Sequence, residues 1–123
     1  MVGVTPDDVR AAHERIQKYV RRTPSFSDLD PRAPRHAELA FKLELVQYAG
    51  SFTARGAFHN LIARAVPPLG VAAASGSNHG IADAVAAQRL GYPARIFVPD
   101  ISSPVKVAAI RDAGAHVVVG GAR

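Results

Sequence analysis

The chain has 123 residues, 48% of them hydrophobic, and no cysteine, which is enough apolar material for one buried core and excludes both a disulfide framework and a thiolate metal site. Its net charge of +5 is spread over every segment, with Arg21-Arg22 the only adjacent basic pair and no basic stripe interleaved with aromatics, so nucleic acid is not expected as a partner. No run approaches the ~18 to 20 apolar residues of a membrane span, Asp7 and Asp8 stand where a secretory signal would be basic, and a cytoplasmic protein is expected.

Thr5-Pro6-Asp7-Asp8 reads as a helix start, with a hydroxyl cap, proline in the first turn and two carboxylates at the positive end of the dipole. The apolar stripe Val9, Ala12, Ile16 and Tyr19 carries the helix to about Tyr19. Thr23-Pro24 ends it, and residues 24–35, with Pro24, Pro31 and Pro34, read as loop. Leu39 to Leu45 alternates imperfectly and predicts a strand with Lys42 and Glu44 on one face. Ser51 is then expected to cap a helix burying Ala54, Ala57, Phe58, Leu61, Ile62 and Ala65, stopped by Pro67-Pro68.

Val71 to Ala74 is a short apolar run of the kind a parallel strand buried on both faces shows, and Ser75-Gly76-Ser77-Asn78 is a cluster of turn formers. Ile81, Ala84, Val85 and Gln88 then fall at helical spacing up to Gly91. Ala94 to Val98 predicts a second buried strand, Ser102-Ser103-Pro104 a further helix running to Gly114, and His116 to Val119 a third strand. The alternation implies an α/β fold with an open, mainly parallel, three-layer sheet, preceded by a separate helix and strand. One compact unit is the default for a chain of this length. The loop before the Ile81 helix sits at a helix N-terminus, where unpaired N–H groups favour a phosphate or carboxylate. The same pattern also allows Ser77 or Asn78 to be a plain helix cap. The five histidines, His13, His36, His59, His79 and His116, share no ligand spacing, and no metal site is expected.

Three stretches together resemble a known family. FKLELVQYAGSFTARGAFHNL is similar to the family pattern E-x-x-Q-x-T-G-S-F-K-x-R-G-A, ASGSNHGIADAVAAQRLG to its S-x-G-N-H loop and helix, and ARIFVPDISSPVKVAAIRDAGAHVVVGG to the strand and helix after that loop. The chain thereby resembles the N-terminal part of the pyridoxal-phosphate (PLP) enzymes of the threonine dehydratase, serine racemase and cysteine synthase group, which share fold type II. The resemblance implies that residues 1–50 begin the large domain and residues 51–123 form most of the small domain. The cofactor cleft lies between those domains, so one wall of it is expected here.

Two departures limit what the resemblance carries over. The family lysine that forms a Schiff base with PLP is Thr53 in this chain, and a hydroxyl cannot form that imine. The glycine that normally precedes Asn-His is Ser77; if the position requires positive φ, the serine costs about 1 to 2 kcal/mol. By resemblance, Phe52 would pack beside the cofactor ring and Asn78 would face its 3′-oxygen. Ser75, Gly76, Ser77 and His79 would hold the substrate carboxylate. Gly76 stands where serine racemase needs a second base, which favours a dehydratase ancestry. For Phe52 and His79 the plain alternative is a solvated loop residue. The expected function is a threonine or serine dehydratase-like (ammonia-lyase) fragment, inactive by itself, with an amino acid as the small molecule recognised. The alternative is a non-catalytic remnant or subunit that self-associates or docks on a longer relative.

Overall fold

The computed structural model describes residues 3–28 and 39–121. A capping box opens α1 (Pro6–Ile16): the Asp8 N–H donates to the Thr5 hydroxyl and the Thr5 N–H to the Asp8 carboxylate. The helix stops at Ile16, short of Tyr19, because the Tyr19 N–H turns tightly onto the Ile16 carbonyl at 2.8 Å.

The reading of residues 24–35 as loop is corrected over its first part. Ser25–Asp28 forms strand β1, antiparallel to β2 (Leu39–Lys42), with Phe26 opposite Phe41 and their rings stacked at 5.4 Å. Four residues are too few to show a period, and it is the distant partner that makes this strand. Residues 29–38, with Pro31, Pro34 and His36, lie outside the described residues. β2 ends at Lys42, not Leu45, because Glu44–Val46 and then Tyr48–Gly50 wind into single 3₁₀ turns. Ala49, in the second of these turns, sits at φ 64, in the left-handed region that costs a residue with a Cβ about 1 kcal/mol.

Two side chains fix this irregular stretch. Buried Gln47 accepts from the Arg21 N–H and donates to the Arg21 carbonyl, both at 2.9 Å. Glu44 takes a two-pronged bond from Arg55, Nε to Oε2 at 2.8 Å and a terminal nitrogen to Oε1 at 2.7 Å, and the Thr23 hydroxyl also donates to it.

Arg55 lies in α2 (Thr53–Ala63), which packs against α3 (Asn78–Leu90) through small side chains. Ala54, Ala57, Ala82 and Ala86 are buried there with Phe58, and Ile16, Tyr19 and Tyr48 close the cluster from the N-terminal segment. The N-terminal segment is thus packed onto α2 and α3. β3 (Val71–Ala74), β4 (Ala94–Val98) and β5 (His116–Val119) form a parallel sheet in the order β3-β4-β5. The crossovers are α3 and α4 (Pro104–Asp112).

Ile96 and Val98 of β4 are fully buried against Ile110 of α4 and Ala84 of α3. Each large side chain of this kind stabilises the fold by about 1.5 to 3 kcal/mol. The expectation of strands buried on both faces is corrected. β3 and β4 alternate, with Ala72, Ala74, Arg95 and Phe97 exposed on the face opposite the helices. Two right-handed crossovers that advance in one direction place both helices on one side. The described residues therefore supply two layers, and no helix among them covers the second face of the sheet. None of the described helices is long and apolar enough to cross a membrane.

The Arg55 bond, helped by Thr23 and Lys42, holds the Glu44 carboxyl below its ordinary value of 4.5. A carboxyl lowered on folding contributes stability above its unfolded value and loses it as pH falls through the folded one. The urea midpoint should therefore drop as pH falls below about 4.5, the ordinary value, and Glu44→Gln should lower it at neutral pH while flattening the acid slope. An unchanged acid slope in that variant would contradict the assignment.

Candidate functional site

The loop Ser75–Ser77 leaves the carboxyl end of β3 and enters α3, so it lies where an open parallel sheet gathers its ligands. Two glycines allow the chain to turn this closely. A Cβ on Gly80 would stand 2.3 Å from the Ser75 carbonyl oxygen, so glycine lets the first turn of α3 come back against the strand end. A Cβ on Gly76 would stand 1.9 Å from Ser102 Oγ, so the loop rests directly on the segment before α4.

Ser77 sits at φ −133 and ψ −161. That is extended backbone open to any residue, and the expected strain from replacing glycine here is absent. Ser77 does stand at the N-cap position of α3, as the plain-cap reading has it, but its side chain makes no capping bond. Its hydroxyl instead accepts from Lys106 Nζ of α4 at 3.1 Å, while its N–H donates to Ser75 Oγ at 3.2 Å. The amides of Asn78, His79 and Gly80 are left without an acceptor among the described residues. With the helix dipole and the Lys106 ammonium they form a positive surface.

The alanine contact between α2 and α3 brings Thr53 to the same place. Thr53 Oγ1 shares a short hydrogen bond with the hydroxyl of buried Ser51 and donates to the Asn78 carbonyl at 3.3 Å. Ser51 therefore does not cap α2 as its sequence position implies. Phe52 occupies the N-cap position with helical φ and ψ and makes no side-chain cap. The Phe52 ring, 67% exposed, lies over the apolar groove lined by Val9, Ala12 and Gly56.

His79 points away from the loop amides. Its Nε2 lies 3.2 Å from Asp83 Oδ2, one turn along α3, with the two side chains 59% and 15% exposed. Burial raises the Asp83 carboxyl above its ordinary value, and the neighbouring His79 partly offsets this. Thr53, Ser75, Gly76, Ser77 and Asn78 are thus gathered at one site, with Phe52 and His79 at its margins. Sequence reasoning missed Ser51, Lys106, Ser102 and Asp83. The i,i+4 spacing of His79 and Asp83 was a visible signal, whereas Lys106 and Ser102 reach the loop only through the packing of α4. Among the described residues no three His, Asp or Glu side chains gather as a metal site requires.

The model of the pyridoxal-phosphate dependent enzyme family matches residues 16–123. Phenylserine dehydratase of Ralstonia pickettii is 43% identical over 110 residues, covering 85% of this chain and 33% of that protein. L-threonine ammonia-lyase of Geobacter sulfurreducens is 36% identical over 115 residues, covering 92% and 29%. The structure of maize serine racemase superposes with a TM-score of 0.88 at 35% identity, covering 99% of this chain and 38% of that one. The chain spans about a third of the length of the curated relatives it matches. Its fold is that of the fold type II PLP enzymes, and the chain belongs to the pyridoxal-phosphate dependent enzyme family.

Proposed function

We propose that this chain is a threonine or serine dehydratase-like member of its family that keeps the amino-acid carboxylate loop but does not carry out the family's elimination by itself. The observation behind this reading is the state of Thr53, whose hydroxyl is held between Ser51 and the Asn78 carbonyl. The family's cofactor needs an amine at this position, and a hydroxyl with no basic partner supplies neither a covalent anchor nor a proton acceptor. The residues present do not fit a covalently held PLP. What remains is recognition: the free amides of Asn78, His79 and Gly80, with Lys106 beside them, suit the carboxylate of a small hydroxy amino acid. Asn78 would face a cofactor edge and Phe52 its ring. Residues 1–50 and 51–123 correspond on this reading to the start of the large domain and to the small domain. The exposed sheet face at Ala72, Ala74 and Phe97 supports a second reading, a non-catalytic subunit that associates with a longer relative.

Gly76 supports the dehydratase side over the racemase side. The position is filled up to Ser102, so a side chain here must displace its neighbour. Gly76→Ser should destabilise the chain by about 1 to 3 kcal/mol, and the double variant Gly76→Ser with Ser102→Gly should recover most of the loss. A single variant as stable as the parent would remove this argument.

The anchor itself is tested with PLP, borohydride and peptide mass mapping on the purified chain. No pyridoxyl adduct at a specific lysine and no oxoacid from threonine or serine are expected. A reduced adduct concentrated on Lys106 or Lys42, together with oxoacid release, would overturn the reading.

A further inference from the structure

We propose that Lys106 is a positioning residue for the loop: it keeps the start of α3 open to an anion by holding the Ser77 hydroxyl away from the helix amides. The proposal rests on the carboxylate-loop reading above and adds to it what keeps the loop vacant. The backbone aims the amides of Asn78, His79 and Gly80, but one side chain of this chain stands where it could take them. Ser77 is the N-cap of α3, with extended backbone and with its carbonyl accepting the first helical bond from the Ile81 N–H at 3.3 Å. From that position a serine hydroxyl ordinarily turns inward and accepts from the second or third amide of the helix. Those amides belong here to His79 and Gly80. A Ser77 that capped them would fill the place an anion needs.

Ser77 makes no cap bond, and its hydroxyl instead accepts from Lys106 Nζ at 3.1 Å. A charged donor makes the stronger bond and outcompetes a neutral amide for the same oxygen. The packing of α4 brings the lysine there. Ser102, just before α4, fills the space up to Gly76, where a Cβ would stand 1.9 Å from its Oγ, and Lys106 is the third residue of the helix that follows. This is an adverse place for a cation. Lys106 lies in the first turn of α4, which has no acidic residue, and its ammonium reaches the first turn of α3, so it stands near the positive ends of two helices. An anion at the loop relieves that repulsion. It also finds a donor in Ser77, since a hydroxyl that accepts from lysine keeps its own hydrogen to give. A chain with glycine at this position, as the family pattern has, holds no hydroxyl to be withdrawn, so the arrangement belongs to Ser77 and Lys106 together.

The test is a double-variant cycle on the 123-residue chain with Lys106→Met, which keeps the apolar stem, Ser77→Gly, and the two together. Hydrogen exchange of the His79 and Gly80 amides is read in the free chain, and the dissociation constant for sulfate is read from the shifts of the same amides. With Lys106→Met alone the hydroxyl should turn inward, slowing exchange at one of these amides about fivefold and weakening sulfate binding about tenfold. In the Ser77→Gly background the same change should leave exchange unaltered and weaken binding only about threefold, the share due to charge alone. Exchange that does not respond to Lys106→Met, or responds equally without Ser77, would overturn the proposal. Equal weakening of sulfate binding in both backgrounds would overturn it too, because the lysine would then act only as a charge. If sulfate moves no loop amide in the unaltered chain, the carboxylate-loop reading falls, and the exchange comparison still decides whether Lys106 holds Ser77.

Discussion

The site depends on how closely α2 can approach α3. Four alanines, Ala54, Ala57, Ala82 and Ala86, meet at that contact with almost no exposed surface, and small side chains let two helix backbones come near each other. That closeness puts the first residue of α2 against the first turn of α3, where the Thr53 hydroxyl reaches the Asn78 carbonyl. A larger side chain at any of the four positions would push the two helices apart. The Glu44–Arg55 pair and Gln47 hold the same end of α2 by tying residues 21–23 and the 3₁₀ turns to its first turn.

From this contact the chemical character of the site divides into two parts that separate cleanly. The amides at the start of α3 owe their exposure to the backbone path from β3 through Gly76 and Gly80, and no side chain is needed to aim them. Covalent chemistry, on the reading proposed above, hangs on one side chain, and that side chain is Thr53. On that reading the anchor is lost and the loop kept, since different levels of structure encode them.

Much of this was legible in the sequence because it is local. The Thr5 cap, the β3-α3-β4-α4-β5 alternation, and Gly91 as the left-handed close of α3 at φ 77 each follow from residues a few positions apart. What was not legible depends on partners far along the chain. β1 exists because Phe26 meets Phe41, Ser51 is drawn from capping into a bond with Thr53, and Ser77 gives its hydroxyl to Lys106. The strain anticipated at Ser77 rested on the type of residue replaced, and the actual φ removed it. Strands with one exposed face were misread because β3 is nearly all alanine, which hides the alternation of burial that the fold imposes.

The most direct measurement is chemical-shift mapping of the whole chain with free L-threonine and, in parallel, with sulfate. Binding in the millimolar range, roughly −4 kcal/mol, is expected for a ligand that stays largely hydrated. The amides of Ser77, Asn78, His79 and Gly80 should move first and furthest with both. If the largest shifts gather on Arg21, Arg22 and the arginine-bearing helix faces, the anion is reading only the net charge of +5, and the loop has not kept the recognition assigned to it.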